Sequence, residues 1–334
     1  MELGCGRTRI SGRVTRKSPP LFNTILKHRR FNTVKITTVL KAIITLLKSL
    51  LLDDYPSGSA INYYDGHLYV IGDDANKLLV LDSNYNEVNT VPFFDYEEKR
   101  IPKAKKTDLE TAVILDIDGK KSLLALGSAA TKEREMGILL HLPFTDNKPL
   151  YISYTSFIKR LQQIHEINIE GATLAGSHLI LSNRGNESNP VNHLIITTPD
   201  FWERQEDAPV SVLKLVISFS LPGFAGVSEL CYIEQEDVLL VILSSEATSN
   251  AYDDGVIGDS YFGWIKHISQ KLNGEDVLLD GIVNLSDIDP AFKGEKMEGV
   301  CLSAVTDQGW HLHLVADNDQ GASRLFHIKV VMED

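Results

Sequence analysis

Five times along the chain, a short apolar stretch introduced by a polar or acidic residue runs into a turn. A second apolar stretch then returns and ends on a small residue followed by a polar one. The registers run from Ser59-Ala60-Ile61 to Gly72-Asp73-Asp74, from Leu109-Glu110-Thr111 to Gly127-Ser128, and from Ile169-Glu170-Gly171 to Ser182-Asn183-Arg184. Two more run from Val227-Ser228-Glu229 to Ser244-Ser245-Glu246 and from Met297-Glu298-Gly299 to Ala316-Asp317-Asn318. The second stretch is almost uninterrupted in apolar residues, as in Leu68-Tyr69-Val70-Ile71 and Val238-Leu239-Leu240-Val241-Ile242-Leu243. Such runs predict strands covered on both faces.

The turns between the paired stretches are Asp65-Gly66, Asp118-Gly119, Ala175-Gly176, Glu236-Asp237 and Gln308-Gly309. Gly and Asp tolerate the positive φ of a tight hairpin. A third strand is written after most pairs, at Lys77–Leu81, Gly137–Leu142, His193–Thr197 and Ser323–Ile328. A three- or four-stranded meander recurring about every 45 to 70 residues is the signature of a propeller blade. The expected fold is therefore an all-β propeller of five blades over residues 35–334, with a sandwich as the alternative architecture. Six blades would result if residues 35–52 and the strand Lys214–Phe219 belonged to a further unit.

Charge divides the chain in two. The net charge is −12, yet residues 1–50 hold eleven Lys or Arg against one acid, Glu2, which leaves 22 basic and 44 acidic residues in the remainder. Residues 1–34, with the pair Pro19-Pro20 and little periodicity, are expected to be a basic, disordered extension. Readings of it as a nucleic-acid arm, a targeting segment or a misplaced start all stand open. No nucleic acid is expected on the folded domain. The stretch Ile36–Leu52 is apolar but carries Lys41 and Lys48, so it predicts an amphipathic helix or a blade-closing strand, not a membrane span. It is also a poor secretory signal, and a cytoplasmic location is expected, with export an open alternative. Cys5, Cys231 and Cys301 have no metal-ligand or redox spacing, and the last two fall at equivalent places inside apolar strands, as buried thiols would.

The candidate chemistry follows from the repeat. First strands of propeller blades line the central channel, so residues at equivalent positions face one another. Alignment places Glu110, Glu170 and Glu298 at one position, with Ser59 and Ser228 there in the first and fourth units. At the ends of the second strands stand Asp73, Asp74, Ser128, Asn183, Arg184, Ser245, Glu246, Asp317, Asn318 and Asp319. Oxygen donors without Cys suit a hard cation such as Ca²⁺, which takes about six to eight oxygens. One reading is a metal-binding cavity with Asp73, Asp74, Asp317 and Asp319 as ligands; Arg184, Asn183 and Lys296 would receive an anionic substrate. The other is a set of struts locking neighbouring blades. His311-x-His313 lies on one face of a strand and fits either a transition-metal pair or an ordinary hydrogen-bonded pair. The segments Asn250–Trp264 and Gly185–Asn192 read as insertions near the channel mouth, the first as a lid, a source of ligands or an outer-strand elaboration. No nucleophile elbow or phosphate-binding glycine loop occurs.

Asn168-Ile169-Glu170-Gly171 with Leu-Ser-Asn-Arg-Gly downstream, and Lys296-Met297-Glu298-Gly299-Val300 with Ala316-Asp317-Asn318-Asp319-Gln320-Gly321, resemble elements of the phytase-like β-propeller proteins. Asp108-Leu109-Glu110 looks like the same element in another blade, and the resemblance spans Ser59 to Val330. It implies Ca²⁺-assisted phosphoester hydrolysis at the channel mouth, with Glu110, Glu170 and Glu298 as ligands or bases. Ser228 departs from the pattern, so the implied site is asymmetric. Ca²⁺-dependent lactone hydrolysis and a non-catalytic propeller that binds a small anionic ligand or a partner protein are the alternatives.

Overall fold

The computed structural model describes residues 41–143, 148–246, 250, 255, 257–274, 276–318 and 321–333. Each expected hairpin is present, and the turn residues adopt the backbone their chemistry allows. Asp65 and Gly66 take φ of 49° and 80°, and Asp118 and Gly119 take 51° and 76°, the positive pair of a two-residue hairpin. Five sheets result. Blade 1 is β2 (Gly58–Tyr64), β3 (His67–Gly72), β4 (Lys77–Asp82) and β5 (Glu87–Pro92), and blade 2 is β6 (Leu109–Ile117), β7 (Lys120–Gly127), β8 (Met136–His141) and β9 (Leu150–Ser153). Blade 3 is β10 (Ile169–Ala175), β11 (His178–Asn183), β12 (Asn192–Thr197) and β13 (Ser211–Val216), extended by the parallel pair β17 (Val277–Leu278). Blade 4 is β14 (Gly226–Ile233), β15 (Val238–Glu246), β16 (Ile257–Lys266) and β18 (Gly281–Asn284).

Blade 5 closes the ring. Its inner strands β19 (Lys296–Thr306), β20 (Gly309–Asp317) and β21 (Ser323–Glu333) come from the end of the chain, and its outer strand β1 (Lys41–Leu52) comes from near the start. β1 pairs antiparallel with β21 from Lys41↔Glu333 to Leu52↔Ser323. The described part of the apolar stretch before residue 53 is thus the blade-closing strand and not a helix. Lys214 belongs to β13 of blade 3, so five blades account for every described strand.

The apolar runs bury as expected, in five clusters that each lie between two adjacent blades. Leu109, Ala60 and Ile71 fill the seam between blades 1 and 2, for example, and Ile61, Val315 and Leu325 fill the seam between blades 1 and 5. Cys231 and Cys301 are buried free thiols on inner strands. The presumed insertion from Asn250 contains β16, the third strand of blade 4, whose Tyr261, Phe262 and Trp264 are core residues. Its aromatic content therefore marks a strand and not a lid. Asp253 and Asp254 lie outside the described residues, while Asp259 accepts from Asn284 Nδ2 at 3.0 Å and Ser286 Oγ at 3.1 Å, a tie on the outer edge of the blade.

One irregularity repeats in every blade. The pairing of first and second strands slips between Gly58 and Ala60, Leu109 and Thr111, Ile169 and Gly171, Val227 and Glu229, and Met297 and Gly299. The extra residue of each β-bulge is Ser59, Glu110, Glu170, Ser228 or Glu298, the very position that the sequence alignment singled out. A bulge takes one residue out of the ladder and re-aims its side chain. Here the inner strands also crowd one another: a Cβ on Gly299 would stand 2.7 Å from Val315 Cγ1 and 2.9 Å from the backbone nitrogen of Ile61.

Gly299→Ala is therefore expected to cost about 1–3 kcal/mol, the range for forcing an extra carbon into a filled interior. Chemical denaturation should show it as a lower midpoint. An unchanged midpoint would mean that the strands have slack at the axis.

Candidate functional site

The bulges and the ends of the second strands meet at one mouth of the channel, around a cavity of about 280 Å³. Its walls carry Asp73, Asp74, Glu110, Glu170, Arg184, Glu246, Lys296, Glu298 and Asp317 from the residues singled out in the sequence, together with Arg100, Lys106, Asp108 and Arg134. Asn186, from the segment after Arg184, reaches the same space. Asn183 does not line this cavity. Its Oδ1 accepts from Asn168 N at 2.8 Å and its Nδ2 donates to the carbonyl of Glu166 at 3.2 Å, so it braces the strand end. Asp319 lies outside the described residues.

The charges sort into two groups of the same make-up. In the first, contributed by blades 1 and 2 and the segment joining them, Lys106 Nζ bridges Asp73 Oδ2 and Asp108 Oδ1, the latter at 2.7 Å. Arg134 Nη1 donates to Asp108 Oδ2 at 2.6 Å and Ser128 Oγ to the same oxygen at 2.5 Å. Oxygens of Asp73, Asp108 and Glu110 lie within 4.8 Å of one another. Three carboxyl groups thus share two cations. Burial raises the Asp108 carboxyl, but Lys106 and Arg134 overcome it and hold this group below the usual range. Burial pushes Asp73 up to about 6 against the opposing pull of Lys106. Glu110 is driven well above the ordinary value by burial, with the charges of Asp108, Glu170 and Asp73 adding to it.

The second group spans blades 3, 4 and 5. Arg184 Nη1 is 3.9 Å from Glu170 Oε2, and Nη2 is 3.5 Å from Glu246 Oε2. Lys296 Nζ lies 2.9 Å from Glu246 Oε2 and 2.8 Å from Glu298 Oε1. Asn168 Nδ2 donates to Glu170 Oε1 at 2.6 Å. Again three carboxyl groups share two cations, and the protons fall unequally. Burial acts to raise Glu246, yet Lys296 and Arg184 bring it to about 2. Glu170 is pushed up to about 8 by burial; Arg184 opposes the rise and the Glu298 charge adds to it. Each group approaches neutrality when its bulge glutamate, Glu110 or Glu170, keeps a proton.

Arg184 also explains why Ser228 stands where three blades have glutamate. The guanidinium crosses into blade 4 and donates to Ser228 Oγ and Ser244 Oγ, both at 2.9 Å, and to the Ser244 carbonyl at 3.1 Å. It packs so closely on Gly226 that a Cβ there would meet Arg184 Cγ at 2.6 Å. A glutamate at 228 would compete for the volume that Arg184 fills. Arg100, in turn, lies between two of the predicted metal ligands: its Nε donates to Asp74 Oδ2 at 2.6 Å, and the fields of Asp74, Asp317 and Asp73 raise its pKa against the effect of burial.

Lys106, Arg134 and Arg100 escaped the sequence reading because they precede or follow the repeated stretches, and Asp108 entered it only within the element Asp108-Leu109-Glu110. One signal was available. Asp108, Asn168 and Lys296 each stand two residues before a bulge glutamate, and in the fold each lies beside that glutamate.

Residues 54–330 match the model of the Family of unknown function (DUF6929), and the chain belongs to that family. No curated protein matches the sequence. Among solved structures, glutaminyl cyclase from Myxococcus xanthus superposes with a TM-score of 0.50 at 11% identity, over 88% of this chain and 98% of that one. The α-L-arabinanase of Cellvibrio cellulosa gives 0.44 at 11% identity, over 85% of this chain and 91% of that one. A PQQ-bound aldose sugar dehydrogenase from Streptomyces coelicolor gives 0.44 at 12%, over 87% and 99%. At 11% identity the likeness to the glutaminyl cyclase speaks for the fold alone. Among the described residues, no helix is long and apolar enough to cross a membrane.

The raised pKa of Glu170 fixes a pH dependence. Its folded value near 8 lies above the ordinary 4.5, so its stabilising contribution is complete below about 4.5 and is lost as pH rises towards 8. Wild type should therefore lose stability relative to Glu170→Gln by about 1 kcal/mol per pH unit between about pH 5 and 8, levelling above that. Urea denaturation of both proteins across this range would read the difference. Parallel pH profiles would show that Glu170 is ionised throughout.

Proposed function

We propose that in this family member the axial cavity binds a small anionic ester and acts on it by acid–base chemistry, with Glu170 as the proton donor. The observation that supports this reading is the buried Glu170 carboxyl, which burial pushes up to about 8, in a cavity that also contains Arg184 and Lys296. Near neutral pH such a group can deliver a proton to a leaving oxygen. Arg184 is fixed by its serine contacts, so it presents charge in a set direction. Lys296, bound to Glu246 and Glu298, can shift towards an incoming anion at the cost of one of those pairs.

A hard divalent cation such as Ca²⁺ fits the Asp73, Asp108 and Glu110 carboxyls better than the full set expected from sequence. The donors are all oxygen, they lie within 4.8 Å of one another, and Asp73 Oδ1 is buried with no hydrogen-bond partner. When bound, a cation there would polarise the ester and acidify a water molecule. Its entry requires Lys106 to leave Asp73 and Asp108. The chain's own residues would do the rest: Glu170 donates the proton, Arg184 and Lys296 orient the anion, and the narrow cavity limits access of bulk water. Phosphoesters are the substrate class that the phytase-like motifs favour, with lactones as the variant chemistry.

The fixing of Arg184 by Ser228 and Ser244, beside Lys296 in the same cavity, favours a second reading, in which the cavity binds a small anion or a partner's acidic group without turnover. The two readings separate in one experiment. Hydrolysis of p-nitrophenyl phosphate and of a simple lactone should be followed with Ca²⁺ or with chelator, for wild type, Glu170→Gln and Asp108→Asn. Catalysis predicts turnover that falls by about 10²-fold or more in Glu170→Gln, the scale of a lost general acid, and that needs Ca²⁺ in wild type. No turnover on either substrate, with a melting temperature indifferent to Ca²⁺ and chelator, would sink the enzymatic reading and leave the binding one.

A further inference from the structure

The two lysines of the channel mouth are anchored differently. Lys296 stands on β19, whereas Lys106 comes from the turn between β5 and β6. In that turn the Pro102 carbonyl accepts from the Lys105 and Lys106 amides at 2.7 and 3.1 Å, and Pro102, Ala104 and Lys105 are exposed. From this surface anchor the Lys106 side chain runs inward until it is only 10% exposed, and its Nζ meets Asp73 Oδ2 and, at 2.7 Å, Asp108 Oδ1. The other Asp108 oxygen is taken by Arg134 and Ser128. Asp73 Oδ1 and Asp74 Oδ1, in the same wall, are buried with no hydrogen-bond partner. Among the described residues, only Asp73, Asp108 and Glu110 bring three carboxyl groups within 4.8 Å of one another; those around Lys296 do not approach so closely.

We propose that the Lys106 ammonium is a built-in competitor for the divalent cation, holding the cation's place among Asp73, Asp108 and Glu110 until Ca²⁺ displaces it. This rests on the cation reading above and concerns what controls occupancy of the site, not turnover. Contact distances put the two in one place. An ammonium nitrogen sits about 2.7–2.9 Å from the carboxylate oxygens it binds, and Ca²⁺ sits about 2.3–2.6 Å from its own. Both need Asp73 Oδ2 and Asp108 Oδ1, so they exclude one another. Two cations on the same carboxylates also repel strongly in a space that holds little water.

Lys106 is the cation of this group that can leave. Its flexible four-carbon stem starts from an exposed turn, so withdrawal carries the charged end to solvent. Arg134, by contrast, is 4% exposed and stays on the far oxygen of Asp108. A bound Ca²⁺ gains Asp73 Oδ1 as a further oxygen, one that the ammonium leaves without a partner. Because the lysine is tethered, it competes at every Ca²⁺ concentration. The affinity of the wild type is then the intrinsic affinity reduced by the fraction of molecules with Lys106 withdrawn.

Calorimetric titration of the full chain with Ca²⁺ tests this. Lys106→Met should bind one equivalent about a hundredfold or more tighter than wild type. Adding Asp108→Asn to that variant should remove the tight equivalent, and Lys296→Met should show no comparable gain. A second readout needs no variant: acetylation of Lys106 in wild type, followed by mass spectrometry, should be slow without Ca²⁺ and quicken as Ca²⁺ fills the site. Should Lys106→Met fail to fold, the acetylation rate decides. Lys106→Met binding no tighter than wild type, a tight site that survives Asp108→Asn, an equal gain in Lys296→Met, or a Lys106 acetylation rate unmoved by Ca²⁺ would each overturn the proposal. Failure of phosphoester and lactone turnover would instead sink the ester reading and leave these affinities as they are.

Discussion

The β-bulge that opens every inner strand is the constraint on which the site depends. Without it, residues 59, 110, 170, 228 and 298 would take ladder positions and their side chains would alternate with those of their neighbours. With it, the same residue in each blade leaves the pairing beside the channel mouth. Five small distortions thus bring Glu110, Glu170 and Glu298, with Ser59 and Ser228, to the channel mouth.

Crowding at that axis has an electrostatic consequence. Eight carboxyl groups and six Lys or Arg side chains line a cavity of about 280 Å³, where water can solvate few of them. The result is a division of roles between chemically identical groups. Asp108 and Glu246, which lie against two cations each, are held below the usual carboxylate range, whereas burial and neighbouring carboxylates push Glu110 and Glu170 above it. Glu110 and Glu170, at one position of the repeat, are thereby set apart from Asp108 and Glu246 beside them. The single serine at 228 is part of the same balance, because it admits Arg184, one of the two cations of its group.

Ring closure is the other structural condition, and it draws on distant parts of the chain. β1 and β21 pair over almost their whole length, and Ile61, Val315 and Leu325 pack the seam between blades 1 and 5. Histidines of blade 5 lie beside this closure: Lys48 of β1 stands opposite His327, and the Tyr85 hydroxyl of blade 1 is 2.8 Å from His313 Nδ1. The two polar regions of the molecule are thus built by different means, one by bulges around the axis and one by cross-strand neighbours on a single blade.

The sequence by itself determined the blades, because alternation, apolar runs and turn residues are local properties: Asp65-Gly66 needs no distant partner to make a turn. It also determined which residues share a site, because equivalent positions in a closed ring must converge, and so Glu110, Glu170 and Glu298 were legible. Tertiary structure alone decided the pairing of charges. Lys106, Arg134 and Arg100 approach the cavity from connecting segments whose path no periodicity records. The Asn250–Trp264 stretch left a lid, ligands and an outer strand open for a related reason: β16 is interrupted in hydrophobicity at its start by Gly258 and Asp259, and only its ladder with β15 decides for a strand. Which carboxyl keeps its proton depends on distances of a few ångströms in a desolvated space, and a linear order of residues does not contain those distances.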